Sequence, residues 1–314
     1  MKKKILTVSS ANMDFVMDMP YIPKAGETVL CGGKYKYVPG GKGANSAVAF
    51  SRLGGESIFC TRLGNDQNGD ALLSVYNNEK IDTEFIVRDE ILPTGLAAIM
   101  VDTDGNNRIA VFPGANMAIS ENQISEALKK SPDALYMQLE ISKDAVIYAA
   151  KEASKKKIPI FIDAGPADPN FPFNELPALE IFSPNESETE ILTGIYPDSK
   201  EKCALAAKKL ADLVNARCYV IKLGARGCYV SDLKNAFFVP SFKVRAVDTT
   251  AAGDSFTAAL VLRYLESGNI RDAAKYANAV GALVVGRPGA LPSIPTKEEA
   301  EKFIFENKTV LSEI

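Results

Sequence analysis

Two short strings in the chain hold residues that could do chemistry. One is Asp248-Thr-Thr-Ala-Ala-Gly-Asp254, which runs directly into the apolar segment Ser255-Phe-Thr-Ala-Ala-Leu-Val-Leu262. Ala251, Ala252 and Gly253 have almost no side chain, so consecutive backbone N–H groups at a helix start stay uncovered, a setting that suits the spreading charge of a phosphoryl group in transfer. Asp254 falls in the first turn of that helix, where the dipole favours the ionised carboxylate, and there it could accept a hydroxyl proton. An ordinary N-terminal capping Asp is the plain alternative. The second string is Pro39-Gly-Gly-Lys-Gly-Ala-Asn45, followed by the apolar run 46–53. Its three glycines permit positive φ and close backbone approach, and the helix start behind them suits hydroxyl or anionic partners. It is either a binding loop or a tight strand-to-helix turn. Two nucleotide motifs are excluded: G-x-x-x-x-G-K-[ST] fails because Lys36 and Gly43 occupy required positions, and G-x-G-x-x-G fails at Ser46.

Composition narrows the chemistry further. The 314 residues include no His, which excludes Ser-His-Asp and Cys-His catalysis, imidazole zinc sites and phosphohistidine. Any general base must be a carboxylate, Lys, Cys or Tyr. The five cysteines, Cys31, Cys60, Cys203, Cys218 and Cys228, form no C-x-x-C pair, so they read as reduced thiols, neither a disulfide framework nor a zinc ribbon. Lys+Arg 36 against Asp+Glu 39 gives 36 − 39 = −3, an ordinary soluble balance without the signature of a nucleic-acid or membrane binder. The apolar run 5–8 is too short for a signal-peptide core, and no apolar run, 258–262 included, approaches the ~20 residues of a membrane span. The expectation is a cytoplasmic protein.

These residues need elements to position them. β-rich runs at 5–8, 58–62, 134–138, 160–163, 218–222 and 228–231 alternate with amphipathic runs at 44–53, 69–77, 121–129, 143–156, 187–193, 200–214, 254–266, 270–285 and 297–307. Such alternation predicts βαβ units around a largely parallel sheet. Segments 13–38 and 95–112 break it: they carry strand signals, with a hairpin turn at 104–106 and no helix between them. They read as a small β-sheet projecting as a lid from one domain that spans 1–314.

The strings GGKGAN and DTTAAGD resemble the two signatures of the PfkB carbohydrate kinases. The wording is closest to the ribokinase branch, because the likeness extends to Asn12-Met-Asp14, Gly26-Glu-Thr28, Pro113-Gly-Ala-Asn116, Met137-Gln-Leu-Glu140, Pro184-Asn-Glu-Ser-Glu188, Lys222-Leu-Gly-Ala-Arg-Gly227 and Arg287-Pro-Gly-Ala-Leu-Pro-Ser293. The resemblance implies a Rossmann-like three-layer α/β/α sandwich with a β-sheet lid, and ATP-dependent phosphorylation of D-ribose at its primary 5-hydroxyl. By the same likeness, Asn12, Asp14, Gly40, Gly41, Lys42, Asn45 and Glu140 would bind the sugar, and Asp254 would act as base. Ala251, Ala252 and Gly253 would form the anion hole. Asn185, Lys222, Gly224, Gly227, Gly253 and Asn278 would bind the nucleotide, and Glu188 would hold Mg²⁺ through water. A K⁺ ion would take oxygens, mostly backbone, from Asp248, Thr250, Val284, Arg287, Gly289 and Ser293. Each residue has a plain alternative: the asparagines as caps or turn residues, Glu140 and Glu188 as solvated acids, Gly224 and Gly227 as turn formers.

Sugar and ATP are the implied partners, with a homodimer formed through the lid. One departure concerns the substrate: ribokinases usually carry Asn-Pro-Ala-Pro where this chain has Asp163-Ala-Gly-Pro166, an extra acid near the pocket. Another pentose, fructose or a modified sugar therefore stays open as substrate. A non-catalytic sensor is disfavoured by the intact 251–254 run, since a sensor needs no base.

Overall fold

The computed structural model describes residues 2–104 and 106–307; Gly105 of the expected 104–106 turn lies outside the described residues. In chain order the first elements are β1 (Lys4–Val8), β2 (Asn12–Asp18), β3 (Tyr35–Gly40), α1 (Lys42–Arg52), β4 (Glu56–Gly64), α2 (Gln67–Asn78), β5 (Ile86–Asp89), β6 (Gly95–Val101) and β7 (Asn107–Phe112). The middle of the chain gives α3 (Glu121–Leu128), β8 (Ala134–Met137), α4 (Lys143–Lys155), β9 (Ile160–Asp163), β10 (Leu179–Ser183), α5 (Glu186–Thr193) and α6 (Lys200–Leu213). The last elements are β11 (Ala216–Lys222), β12 (Cys228–Ser231), β13 (Ala236–Val239), α7 (Ala252–Ser267), α8 (Ile270–Val285) and α9 (Lys297–Glu306). All the expected strands and helices are present with ends shifted by a residue or two. Strands β5, β10 and β13 were not expected.

The main sheet has the order β13-β12-β11-β10-β9-β8-β1-β4-β5. It is parallel from β5 to β11, and β12 and β13 add to it antiparallel. Alternate strand residues feed two cores. Ile5, Phe59, Tyr136, Phe161 and Val220 pack under α1, α2, α7, α8 and α9; Leu6, Ile58, Leu135, Ile162 and Ile221 pack under α3, α4, α5 and α6. This is the expected three-layer sandwich, produced by the two-residue period of a strand covered on both faces. Strand order turns back between β1 and β8, and open α/β sheets bind ligands beyond the carboxyl ends of strands at such a point.

A second sheet, of order β3-β2-β6-β7, stands on that end. Its root is short: β1 stops at Val8 and β2 starts at Asn12, with Ser9, Ser10 and Ala11 fully buried between them. The sheet's outer strands expose Tyr35, Tyr37, Ile109, Val111 and Phe112. Among the described residues no helix is long and apolar enough to cross a membrane, and the cysteines are all free, with only Cys31 exposed.

Candidate active site

The carboxyl ends of β1 and β8 bring the first group of side chains together. Asn12 is buried, and Asn116 fixes it: the Asn116 amide donates to Asn12 Oδ1 at 2.8 Å while its own oxygen accepts the Ala11 N–H at 2.9 Å. So oriented, Asn12 Nδ2 donates to Glu140 Oε2 at 3.4 Å, an oxygen that also accepts the Ser10 hydroxyl and, at 3.4 Å, the Lys42 N–H. Glu140 is therefore tied into the cleft. Asp14 leans over Gly40, whose missing Cβ leaves room for the carboxylate. Burial, then the negative charges of Glu140 and Asp254, push the Asp14 carboxyl up to about 7. Of the three glycines in the loop only Gly41 has positive φ, at 89°, where it precedes the first turn of α1. Gly40 and Gly43 serve close approach to Asp14 and to residues 9–10.

Asp254 stands at the start of α7 and is itself buried. Asn45 Nδ2 donates to its Oδ2 at 2.9 Å and Gln138 Nε2 to its Oδ1 at 3.1 Å. The Gln138 amide is held the right way round because its oxygen accepts the Ser9 hydroxyl at 3.0 Å. Burial pushes the Asp254 carboxyl up from its ordinary value, helped by the charge of Asp163 and opposed by Lys42, the Asn45 hydrogen bond and Lys222. The Lys42 ammonium is in turn held above its ordinary range, chiefly by Asp254. At the head of α7, Ala251 sits in the left-handed region at φ 62°, a conformation costly for a residue with a Cβ. Ala252 N–H donates to Thr249 O at 3.2 Å, whereas the N–H groups of Gly253 and Asp254 have no partner among the described residues. Gly253 lines an open cavity of about 740 Å³ together with Asn185, Lys222, Phe242, Val244 and Ala282.

A carboxylate held by two amides, beside free helix N-terminal donors and a large cleft, is the layout of a group-transfer site. The pfkB family carbohydrate kinase model matches residues 2–297. The chain belongs to that family. It is 37% identical to the ribokinase of Haemophilus influenzae, over 97% of this chain and 99% of the relative. It is 29% identical to a deoxyribokinase of Salmonella typhi, over 97% of this chain and 99% of that one. The structure of Arabidopsis thaliana ribokinase complexed with ribose and ATP superposes with a TM-score of 0.89 at 29% identity, covering 97% of this chain and 99% of that chain.

In this pfkB kinase the nucleotide-side positions are partly spent on the fold. Asn185 caps α5, its oxygen accepting the Glu188 N–H at 2.8 Å and the Ser187 hydroxyl at 2.9 Å. The Asn278 amide donates to Val239 O at 2.9 Å and Pro240 O at 3.2 Å, so it shapes the cavity wall through the backbone. Gly224 and Gly227, at φ 54° and 94°, build the turn before β12. Glu188 Oε2 accepts the Asn185 N–H at 2.8 Å, while Oε1, with no hydrogen-bond partner among the described residues, lies against Gly165. Burial raises its carboxyl, opposed by Lys222.

Kinases acting on ATP need a divalent cation in general. Among the described residues no group of three acids, cysteines or histidines could hold a metal. The single free Glu188 oxygen therefore fits a cation carried on phosphate and water in preference to a protein cage.

Of the six expected ion ligands, hydrogen bonds bring Asp248, Thr250 and Gly289 together. Asp248 Oδ2 accepts the Gly289 N–H at 2.8 Å and Oδ1 the Thr250 N–H and hydroxyl at 2.9 and 2.6 Å, which ties the 286–293 loop to the segment before α7. Burial pulls the Asp248 carboxyl up, but these hydrogen bonds outweigh it and hold it below its ordinary value. Val284 O accepts the Arg287 N–H at 3.1 Å, Ser293 donates to Ala290 O at 2.7 Å, and the Arg287 guanidinium turns away to Glu299 at 2.7 Å. Sequence reasoning assigned no role to Gln138, Asn116 or Thr257. Asn116 and Gln138 lay within the family-like strings, which was their only signal.

Proposed function

We propose that this kinase transfers the γ-phosphoryl group of ATP to the 5-hydroxyl of D-ribose, releasing ribose 5-phosphate and ADP. The observation that carries the reading is the Asp254 carboxylate, fixed by Asn45 and Gln138 between the sugar-side group of Asn12, Asp14 and Glu140 and the free N–H groups of Gly253 and Asp254. Asp254 takes the hydroxyl proton as the sugar oxygen attacks; its raised proton affinity makes it a better base than an exposed Asp. The N-terminal donors of α7 accept the charge that develops on the phosphoryl oxygens, and Lys42 balances the acids around it. Mg²⁺ bound with the nucleotide would supply charge neutralisation, with Glu188 orienting it through water. The ribokinase names of the relatives support ribose as the sugar. The test is ADP release with ATP and Mg²⁺ over a panel of ribose, 2-deoxyribose, fructose and nucleosides. Ribose should give the highest kcat/KM, and a preference of tenfold or more for another acceptor overturns the reading.

The small sheet is proposed as a lid and as the dimer contact. Asp14 reaches the cleft from β2, and Tyr35, Tyr37, Ile109, Val111 and Phe112 leave apolar edges open to water, a surface that calls for cover.

Asp14 makes a pH prediction. Its proton leaves near 3.8 in an ordinary environment and near 7 in the folded protein, so the native state binds the extra proton and loses stability as pH rises across that window. Asp14→Asn should therefore raise Tm at pH 8, with the gain shrinking toward pH 4, while KM for ribose rises. A Tm gain equal at both pH values would show that Asp14 is not the group responsible.

The convergence of Asp248, Thr250 and Gly289 next to α7 supports a K⁺ site that steadies the head of that helix. A large, weakly hydrated ion suits a carbonyl cage. Initial rates at fixed ionic strength should fall when K⁺ is replaced by Na⁺ or by a bulky organic cation, and equal rates in the three salts would remove the ion from the account.

A further inference from the structure

The acid that departs from the ribokinase string is Asp163, at the carboxyl end of β9. Its side chain is 4% exposed and faces the Lys222 ammonium, itself 10% exposed, at the end of β11. The same Asp163 oxygen receives the Thr257 hydroxyl at 2.6 Å. Thr257 has a single hydroxyl proton, so its oxygen is left to accept from Lys222 Nζ, 3.3 Å away. The three side chains close a ring that spans β9, β11 and α7. Two of the lysine's three N–H donors are used in it. The third has no partner among the described residues, and Nζ lies 3.8 Å from the place a Cβ on Gly253 would take. Thr257 also sits one turn along α7 from Gly253, so the ring ties the ammonium to the helix whose N-terminus lines the cleft.

We infer that Asp163 and Thr257 are positioning residues that aim the Lys222 ammonium at the phosphoryl group in transfer, so that the extra acid serves the phosphate side of the site and leaves sugar choice alone. The inference rests on the kinase reading above. Asp163 supplies the countercharge that lets an ammonium wait, largely buried, before an anion arrives. Without it Lys222 is free to turn to the other acids whose titration it already influences, Glu188 and Asp254, and a cation on Asp254 would weaken the base. The charge of Asp163 is thus matched by this lysine, and a neutral sugar pocket does not have to accommodate it.

The experiment is a double-mutant cycle of Asp163→Asn and Lys222→Met, with kcat expressed per folded protein, together with calorimetric binding of ADP alone and of ADP with aluminium fluoride, ribose present. Each single variant should lower kcat by about tenfold or more, keep KM for ribose within about twofold, and lose about tenfold of the affinity that aluminium fluoride adds, with ADP alone little changed. The double variant should be no worse than the poorer single one. Multiplying losses, an effect confined to KM for ribose, or an unchanged aluminium fluoride complex each overturn the inference. Thr257→Val, which removes one hydroxyl and no charge, should give a smaller loss of the same kind; if Asp163→Asn does not fold, an unaffected Thr257→Val kcat overturns the inference. Failure of the ribokinase reading looks different: the unaltered protein then fails to turn over ribose before any variant is compared.

Discussion

Asp254→Asn is expected to lower kcat by ~10²–10⁴ while KM for ribose stays within a few-fold. The substitution keeps the volume and removes the proton acceptor. In a chain without His, no imidazole can take over. Asn45 and Gln138 both present amide donors to this carboxylate, so one of them would meet the new amide's N–H₂ and lose its acceptor, a loss offset in part because a buried charge is also removed. Stability should therefore change little, and the measurement is steady-state turnover alongside a melting curve. In the unaltered enzyme the rate should fall as acid protonates Asp254, and this acid limb should be absent from the residual activity of the variant. Turnover within tenfold of the original would sink the assignment of Asp254 as base.

Gly253→Ala should separate folding from turnover even more cleanly. A Cβ at this position would meet only Lys222 Nζ, at 3.8 Å, an ordinary contact. The residue lies in the first turn of α7, where Ala is favoured over Gly by up to ~1 kcal/mol. Tm should hold or rise. The methyl group would nonetheless stand over the free N–H of Gly253 and beside the ammonium, in the space the phosphoryl oxygens need. The expected loss in kcat is ~10²–10³, the scale seen when one preorganised donor to a developing oxyanion is lost. A kcat within about threefold of the original would mean that the phosphoryl group passes elsewhere.

The helices were legible because their ends are written locally. Ser120, Ser142, Ser199, Asn269 and Thr296 each accept the N–H that a cap should, and apolar residues follow at helical spacing. Strands β5, β10 and β13 lacked such punctuation. Leu179–Ser183 is buried on nearly every residue, so it shows no alternation, and the four-residue β5 and β13 sit at the sheet's two edges. Within the site, Asp254, Asn45 and Glu140 could be read from compact strings. Gln138, Asn116 and Asp163 could not be given their partners, because each acts on a residue 116, 104 or 59 positions away, and no local pattern encodes such a pairing. The direction of the Asp254 titration was likewise out of reach: the dipole is visible in sequence, whereas the burial that outweighs it is created only by packing.

The short root of the small sheet makes it a cantilever. Its inner end, at Asn12 and Asp14, is clamped by buried residues and by Asn116, while among the described residues β6 and β7 pair with no strand of the main sheet. A beam fixed at one end bends most at its tip, so any closing motion of the proposed lid would leave Asn12 and Asp14 nearly still and sweep Val101 and Asn107, paired at the far end, through the largest arc. If Asn12 and Asp14 hold the sugar as proposed, holding it and sheltering it from water fall at opposite ends of one lever, and stiffening the tip, as a second copy docked along its apolar edges would do, would alter how often the cleft opens without altering how the sugar is held.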